Sequence, residues 1–129
     1  MNSAITLAFV ASGGAIGACF RFLISEWCVL VFGRGFPYGT LTVNVLGSLI
    51  MGFLMAAIEL GLVAAAPWRH LVGLGLLGAL TTFSSFSMEN VTLLNQGEFV
   101  KMGLHIVLNV TLCIFATWAS YTLMRTIHG

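Results

Sequence analysis

Charge is scarce in this chain. Five Lys or Arg and 4 Asp or Glu are spread over 129 residues, 7% of the total, where a soluble domain carries roughly a quarter. So few charges cannot cover the surface of a soluble globule. The net charge of +1 gives no basic field for a nucleic-acid partner and no acidic tail. Cysteine is also sparse. Cys19, Cys28 and Cys113 are odd in number and lack CxxC or metal spacing, so they read as small apolar packing residues and leave the redox compartment open. No Ser/His/Asp set, paired carboxylates or metal cluster is present, so enzymatic chemistry has no visible home. Met1-Asn2-Ser3 offers no basic n-region, and no small-residue cleavage site follows a short apolar core, so residue 4 onward reads as mature chain. There is no linker, low-complexity segment or convincing repeat. One domain, residues 1–129, is expected.

What the chain has is apolar length. Fifty-nine per cent of it is hydrophobic, gathered in four runs at residues 4–32, 40–66, 71–94 and 99–124. Each exceeds the ~20 residues that a spanning helix needs. The breakers between them are Gly33 to Gly39, Pro67-Trp68-Arg69-His70 and Asn95-Gln96-Gly97-Glu98. Trp27, Tyr38, Trp68 and Tyr121 fall near run ends, as an aromatic belt would place them. The fold class is therefore an all-α membrane protein of four transmembrane helices.

Orientation is balanced. With four spans, Arg69 and Arg125 share one side, and Arg34 and Lys101 the other. Orientation normally follows an excess of Lys and Arg on the cytoplasmic side, and here there is none. Either a weak bias or an assembly partner decides, or the chain inserts both ways and pairs antiparallel; charge leaves both open. So small a bundle has little room for an internal path, which favours one built with a partner. Gly13 and Gly17 form a GxxxG pair, which lets helix backbones approach closely, either inside one subunit or between two. Gly73-Leu74-Gly75-Leu76-Leu77-Gly78 matches GxGxxG, but without a strand before it or a downstream acid it is a coincidence of a glycine-rich membrane helix.

The third run carries the most information. It is apolar from Leu71 to Leu80, then polar through Thr81, Thr82, Ser84, Ser85, Ser87, Glu89 and Asn90. Thr81 lies about 15 Å along a helix begun at Leu71, near the middle of a ~30 Å hydrocarbon layer. Hydroxyls that dense at such depth need protein, water or an ion. Two further polar stripes run at helical spacing: Thr40, Asn44, Gly47 and Ser48 on the second helix, and His105, Asn109, Cys113 and Thr117 on the fourth. Taken singly, Asn44 and Asn109 are interhelical hydrogen bonds and His105 is a satisfied buried histidine. Together with the Thr81–Ser87 run they point to a hydrated pathway. Phe83 and Phe86, three apart, read as ordinary core on spacing alone, although an electropositive ring edge turned toward a polar path can coordinate an anion without trapping it. Arg21 and Glu89 are charges within spans, functional by default if deep. Arg21 either holds a vestibule open to anions or pairs with a carboxylate or carbonyls. Glu26, Glu59 and Glu98 fall near run ends and read as solvated.

Two long motifs closely resemble the Fluc (CrcB-type) fluoride channel family: Pro37-Tyr38-Gly39-Thr40-Leu41-Thr42-Val43-Asn44-Val45-Leu46-Gly47-Ser48 and Gly78-Ala79-Leu80-Thr81-Thr82-Phe83-Ser84-Ser85-Phe86-Ser87-Met88-Glu89. The glycine-rich first helix ending in Arg21, the length and the four spans fit as well. The resemblance implies an antiparallel, dual-topology homodimer in the bacterial inner membrane, with the third helix broken at mid-membrane. It implies two passive fluoride pores, each lined by both subunits, that export toxic fluoride from the cytoplasm. It also implies a structural, non-transported Na⁺ held by backbone carbonyls of Gly78 and Thr81. The pore positions map onto Asn44, Phe83, Ser84, Ser85, Phe86, His105, Asn109 and Cys113, and the vestibule onto Arg21 and Glu89. On the fourth helix, this chain has His105, Asn109 and Cys113 where relatives often have Tyr and Ser.

Two other readings compete. A small dual-topology, proton-coupled multidrug exporter would want a membrane-centred glutamate in the first helix, and Glu26 is too near its end. A non-conducting scaffold would use the glycines for packing but would not need seven polar residues between Thr81 and Asn90.

Overall fold

The computed structural model describes all residues 1–129. Its first helix, α1, is Ser3–Phe32. The Asn2 side chain accepts from the N–H of Ile5, as an N-cap should, and Gly33 ends the helix at φ 79°. The second helix, α2, is Tyr38–Glu59. The third span, Ala65–Asn95, is two helices: α3 (residues 65–80) and α4 (Phe83–Asn95). The last helix, α5, is Phe99–His128. Four stretches are thus long and apolar enough to cross a membrane.

Two boundaries correct the sequence reading. The second span stops at Glu59, not near residue 66, because the chain turns at Gly61 with φ 73°. The residues beyond stay apolar, so hydropathy alone runs through the turn. The third span begins earlier, at Ala65, so Pro67 to His70 belong to it and do not separate two spans. A proline suits a first helical turn, where its missing N–H has no partner to lose.

The bundle is built on backbone contact. A Cβ on Gly13 would lie 2.0 Å from the Leu71 carbonyl oxygen, and one on Gly17 would lie 2.1 Å from that of Leu76. From the facing side, a Cβ on Gly75 would meet the Val10 oxygen at 2.7 Å. Gly13 and Gly17 of α1 and Gly75 of the GxGxxG stretch therefore serve one contact inside the protomer, while Gly73 faces Leu54 of α2. Between residues 69 and 77, α3 widens into π-helical turns. Across the bundle, Val43, Leu77 and Leu80 form the most buried apolar cluster, joining α2 to the lower turns of α3 just before the span is interrupted. On α2, Gly47 faces that interruption, with space for no more than hydrogen beside the Thr81 methyl.

Candidate functional site

The third span leaves helical geometry at two residues. Thr81 (φ −81°, ψ 154°) and Thr82 (φ −148°, ψ 120°) are extended, midway between Ala65 and Asn95. Such a break frees carbonyls at the end of α3 and N–H groups at the start of α4. Most find partners. The Leu77 carbonyl accepts from the Thr81 N–H at 3.1 Å and from the Thr81 hydroxyl at 2.9 Å. The Ala79 carbonyl accepts from Arg21 Nε at 3.0 Å. Of the two roles open to Arg21 in the sequence, this protomer shows the bond to a carbonyl. On the other side, the Thr82 hydroxyl caps α4 by accepting from the Ser85 N–H at 3.2 Å.

Asn44 spans the break itself. Its Oδ1 accepts from the Thr82 N–H at 2.8 Å, and its Nδ2 donates to the Thr82 carbonyl at 3.2 Å. One carboxamide thus pairs with both backbone groups of Thr82. Asn44 Nδ2 also donates to Asn109 Oδ1 at 2.9 Å. Asn109 Nδ2 in turn reaches the His105 carbonyl at 2.7 Å and His105 Nδ1 at 3.0 Å. His105 Nε2 lies 3.1 Å from Glu89 Oε1, and Thr40 donates its hydroxyl to Glu89 Oε2 at 2.8 Å. Thr40, His105 and Asn109 are buried, His105 completely. The stripes on α2 and α5 therefore face each other here, and the donors of Thr40, Asn44, His105 and Asn109 are taken up within the protomer.

The carbonyl of Thr81 accepts no hydrogen bond within the protomer, and that of Gly78 accepts none from a side chain. Gly78 is exposed and Thr81 half-buried. Carbonyl oxygens at the negative end of a half-helix suit a hard alkali cation, so these groups fit the Na⁺ that the resemblance implies. No cluster of His, Cys, Asp or Glu offers an alternative metal site. At the same break α4 begins, and a helix start favours an anion.

A groove of about 400 Å³ gathers Asn44, Thr81, Phe83, Phe86, Asn109 and Cys113. Six of the residues singled out in the sequence thus share one surface. The Phe83 and Phe86 rings are 5.4 Å apart, but Phe83 is 78% exposed and Phe86 only 9%. Ser84 is exposed and Ser85 half-buried. Behind Phe86, the His105 ring sits 5.0 Å from it and 5.5 Å from Phe36. Glu89 lies apart from the groove, in a second cavity of about 330 Å³ that also holds Arg34, Tyr38 and Thr40. Thr82, not singled out before, proves to be the hinge of the network. Its signal was a Thr at the start of a polar helical stretch, the pattern of an N-cap.

A family model described as "CrcB-like protein, Camphor Resistance (CrcB)" matches residues 8–121. A protein of Vibrio vulnificus (strain YJ016) named "Fluoride-specific ion channel FluC" is 61% identical over 126 residues, 98% of this chain and 100% of the relative. Its namesake in Vibrio parahaemolyticus is 65% identical over 118 residues, covering 92% and 93% of the two chains. A third, from Photobacterium profundum, is 61% identical over 124 residues, covering 96% and 98%. Those relatives are named as ion channels, which are not enzymes.

Proposed function

The chain belongs to the CrcB-like family, and from that footing we propose that it is a fluoride channel of the bacterial inner membrane, working as an antiparallel homodimer. It is a multi-pass membrane protein, and its near full-length relatives carry the name of a fluoride-specific ion channel. One structural observation carries the proposal furthest: the third span is interrupted midway, and the interruption stands open on the protomer surface. Phe83, Ser84 and Gly78 are exposed there, beside the unpartnered Thr81 carbonyl. Open backbone at membrane depth is tolerated only where protein or a polar cavity covers it. A second, inverted copy would bring its own break to the same level and supply that cover.

Fluoride is small and strongly hydrated, so a path for it must replace water with hydrogen-bond donors. Hydroxyls and amides do so without a full charge that would trap the ion. The Ser84 and Ser85 hydroxyls, with the N–H groups of Phe83 and Ser84 at the start of α4, would offer such donors. The Phe83 and Phe86 ring edges would add weak positive potential. Asn44 positions the peptide between them. Cys113 lines the same groove, while Arg21 and Glu89 would shape the approaches. A structural Na⁺ on the Gly78 and Thr81 carbonyls would neutralise oxygen dipoles that face each other across the dimer.

Phe83→Ile and Phe86→Ile are expected to lower fluoride efflux from proteoliposomes by roughly tenfold or more while the protein still elutes as a dimer; one such ring–ion contact is worth about 1 kcal/mol or more. Unchanged flux in both would remove the aromatic role. Purification with a bulky cation in place of Na⁺ is expected to cut efflux to near background, restored on adding Na⁺ back. Full efflux in the strict absence of Na⁺ would rule the structural cation out.

A further inference from the structure

The side chains between the break and Glu89 are oriented by backbone groups that have no alternative role. The Thr82 N–H can only donate and its carbonyl only accept, so Asn44 must turn Oδ1 to the first and Nδ2 to the second. Asn44 Nδ2 then donates to Asn109 Oδ1. Asn109 Nδ2 is fixed a second time by the His105 carbonyl. His105 Nδ1, 3.0 Å from that amide nitrogen, must therefore be a bare acceptor. The ring proton sits on Nε2 and is donated to Glu89. Apart from the Asn44 Nδ2–H returned to the Thr82 carbonyl, the donors along the line point one way, from the break toward the carboxylate.

We propose that His105 is a positioning residue: neutral and protonated on Nε2, it holds Asn109, and through it Asn44, against the Thr82 peptide, so that fluoride conduction falls when the ring takes up a second proton. The proposal rests on the fluoride-channel reading.

A proton added at Nδ1 puts a donor opposite the Asn109 amide N–H. If Asn109 turns over, its Nδ2 meets the Nδ2 of Asn44. If Asn44 turns in answer, its Nδ2–H meets the Thr82 N–H. Each repair passes the conflict one link along, and it ends at the break. Protonating Glu89 has the same outcome once the carboxyl donates to Nε2, because the ring then carries its proton on Nδ1. Glu89, from α4, is the only ionisable group bonded to the imidazole. From α2, Thr40 holds the other oxygen of Glu89. Phe36 and Phe86 lie against the ring. Arg34, Tyr38 and Cys28 line the cavity that Glu89 shares. On α5 itself, Lys101 is turned to Glu98 at 4.0 Å.

The test is fluoride efflux from proteoliposomes at about pH 7.5 and about pH 5.5, with leak from protein-free vesicles subtracted. Wild-type efflux is expected to fall about tenfold at the lower pH, the size of losing one buried hydrogen bond. His105→Gln, which presents an acceptor and a donor in the same order but does not titrate, is expected to conduct equally at both. A wild-type profile flat across the range overturns the proposal, as does His105→Gln with the wild-type acid loss. Absence of fluoride efflux at the higher pH would instead refute the channel reading beneath it. If His105→Gln is inactive throughout, the ¹⁵N shifts of His105 in wild-type protein at about pH 7.5 decide. A bare Nδ1 with protonated Nε2 sustains the proposal, and a protonated Nδ1 overturns it.

Discussion

Asn44→Leu is expected to destabilise the protein by about 3 kcal/mol and to reduce fluoride efflux by at least about a hundredfold. The size follows from what the carboxamide touches. An ordinary interhelical hydrogen bond in a membrane contributes only about 0.6 kcal/mol, because the separated helices find other partners. Asn44 instead serves the N–H and the carbonyl of Thr82 together, and a buried backbone group left unpaired costs about 1–3 kcal/mol. Leucine fills nearly the same volume, so lost packing contributes little. Asn109 also loses the donor to its Oδ1, which loosens the line toward His105. Thermal unfolding in detergent, followed beside efflux, checks both parts. A variant as stable and as active as wild type would show that the break holds itself.

Gly17→Ala is expected to cost roughly 3 kcal/mol or more and to lower folded yield sharply. The added methyl would sit 2.1 Å from the Leu76 carbonyl oxygen, whereas non-bonded atoms prefer about 3.5 Å or more. The neighbour is backbone, so no rotamer relieves the overlap and α1 must move off α3. That motion would also pull Arg21 from the Ala79 carbonyl, one turn further along α1. Gly14→Ala is the internal control. Its Cβ would have no neighbour closer than the Gly75 oxygen at 4.0 Å, so a change within about 0.5 kcal/mol is expected. Equal effects from the two substitutions, read as detergent melting temperature and monodisperse yield, would contradict the close helix contact.

The spans were legible because a membrane helix is written in hydropathy, and the first was placed to within a residue of Ser3–Phe32. The end of the second was not. Leu60, Leu62, Val63 and the alanines after them are as apolar as a helix interior, and one glycine at positive φ makes the turn. The polar stripes of α2 and α5 were visible as four-residue steps. Whether they face water or each other depends on how the helices are rotated, which spacing does not encode. Asn44, Asn109, His105 and Glu89 are tied in one line by that rotation. A carbonyl partner for Arg21 was among the sequence alternatives, but that it is Ala79 had no signal, since every residue carries the same backbone oxygen. Phe83 and Phe86 share a side of α4 as their spacing requires, yet differ widely in exposure because only Phe86 reaches His105.

The central claim is that this chain passes fluoride along its interrupted third span. Purified protein in vesicles loaded with equal fluoride and chloride, each followed by its own electrode, tests it most directly. The account predicts rapid loss of fluoride with chloride retained at the level of protein-free vesicles. Fluoride retained in full, or both halides released at the same rate, would contradict it.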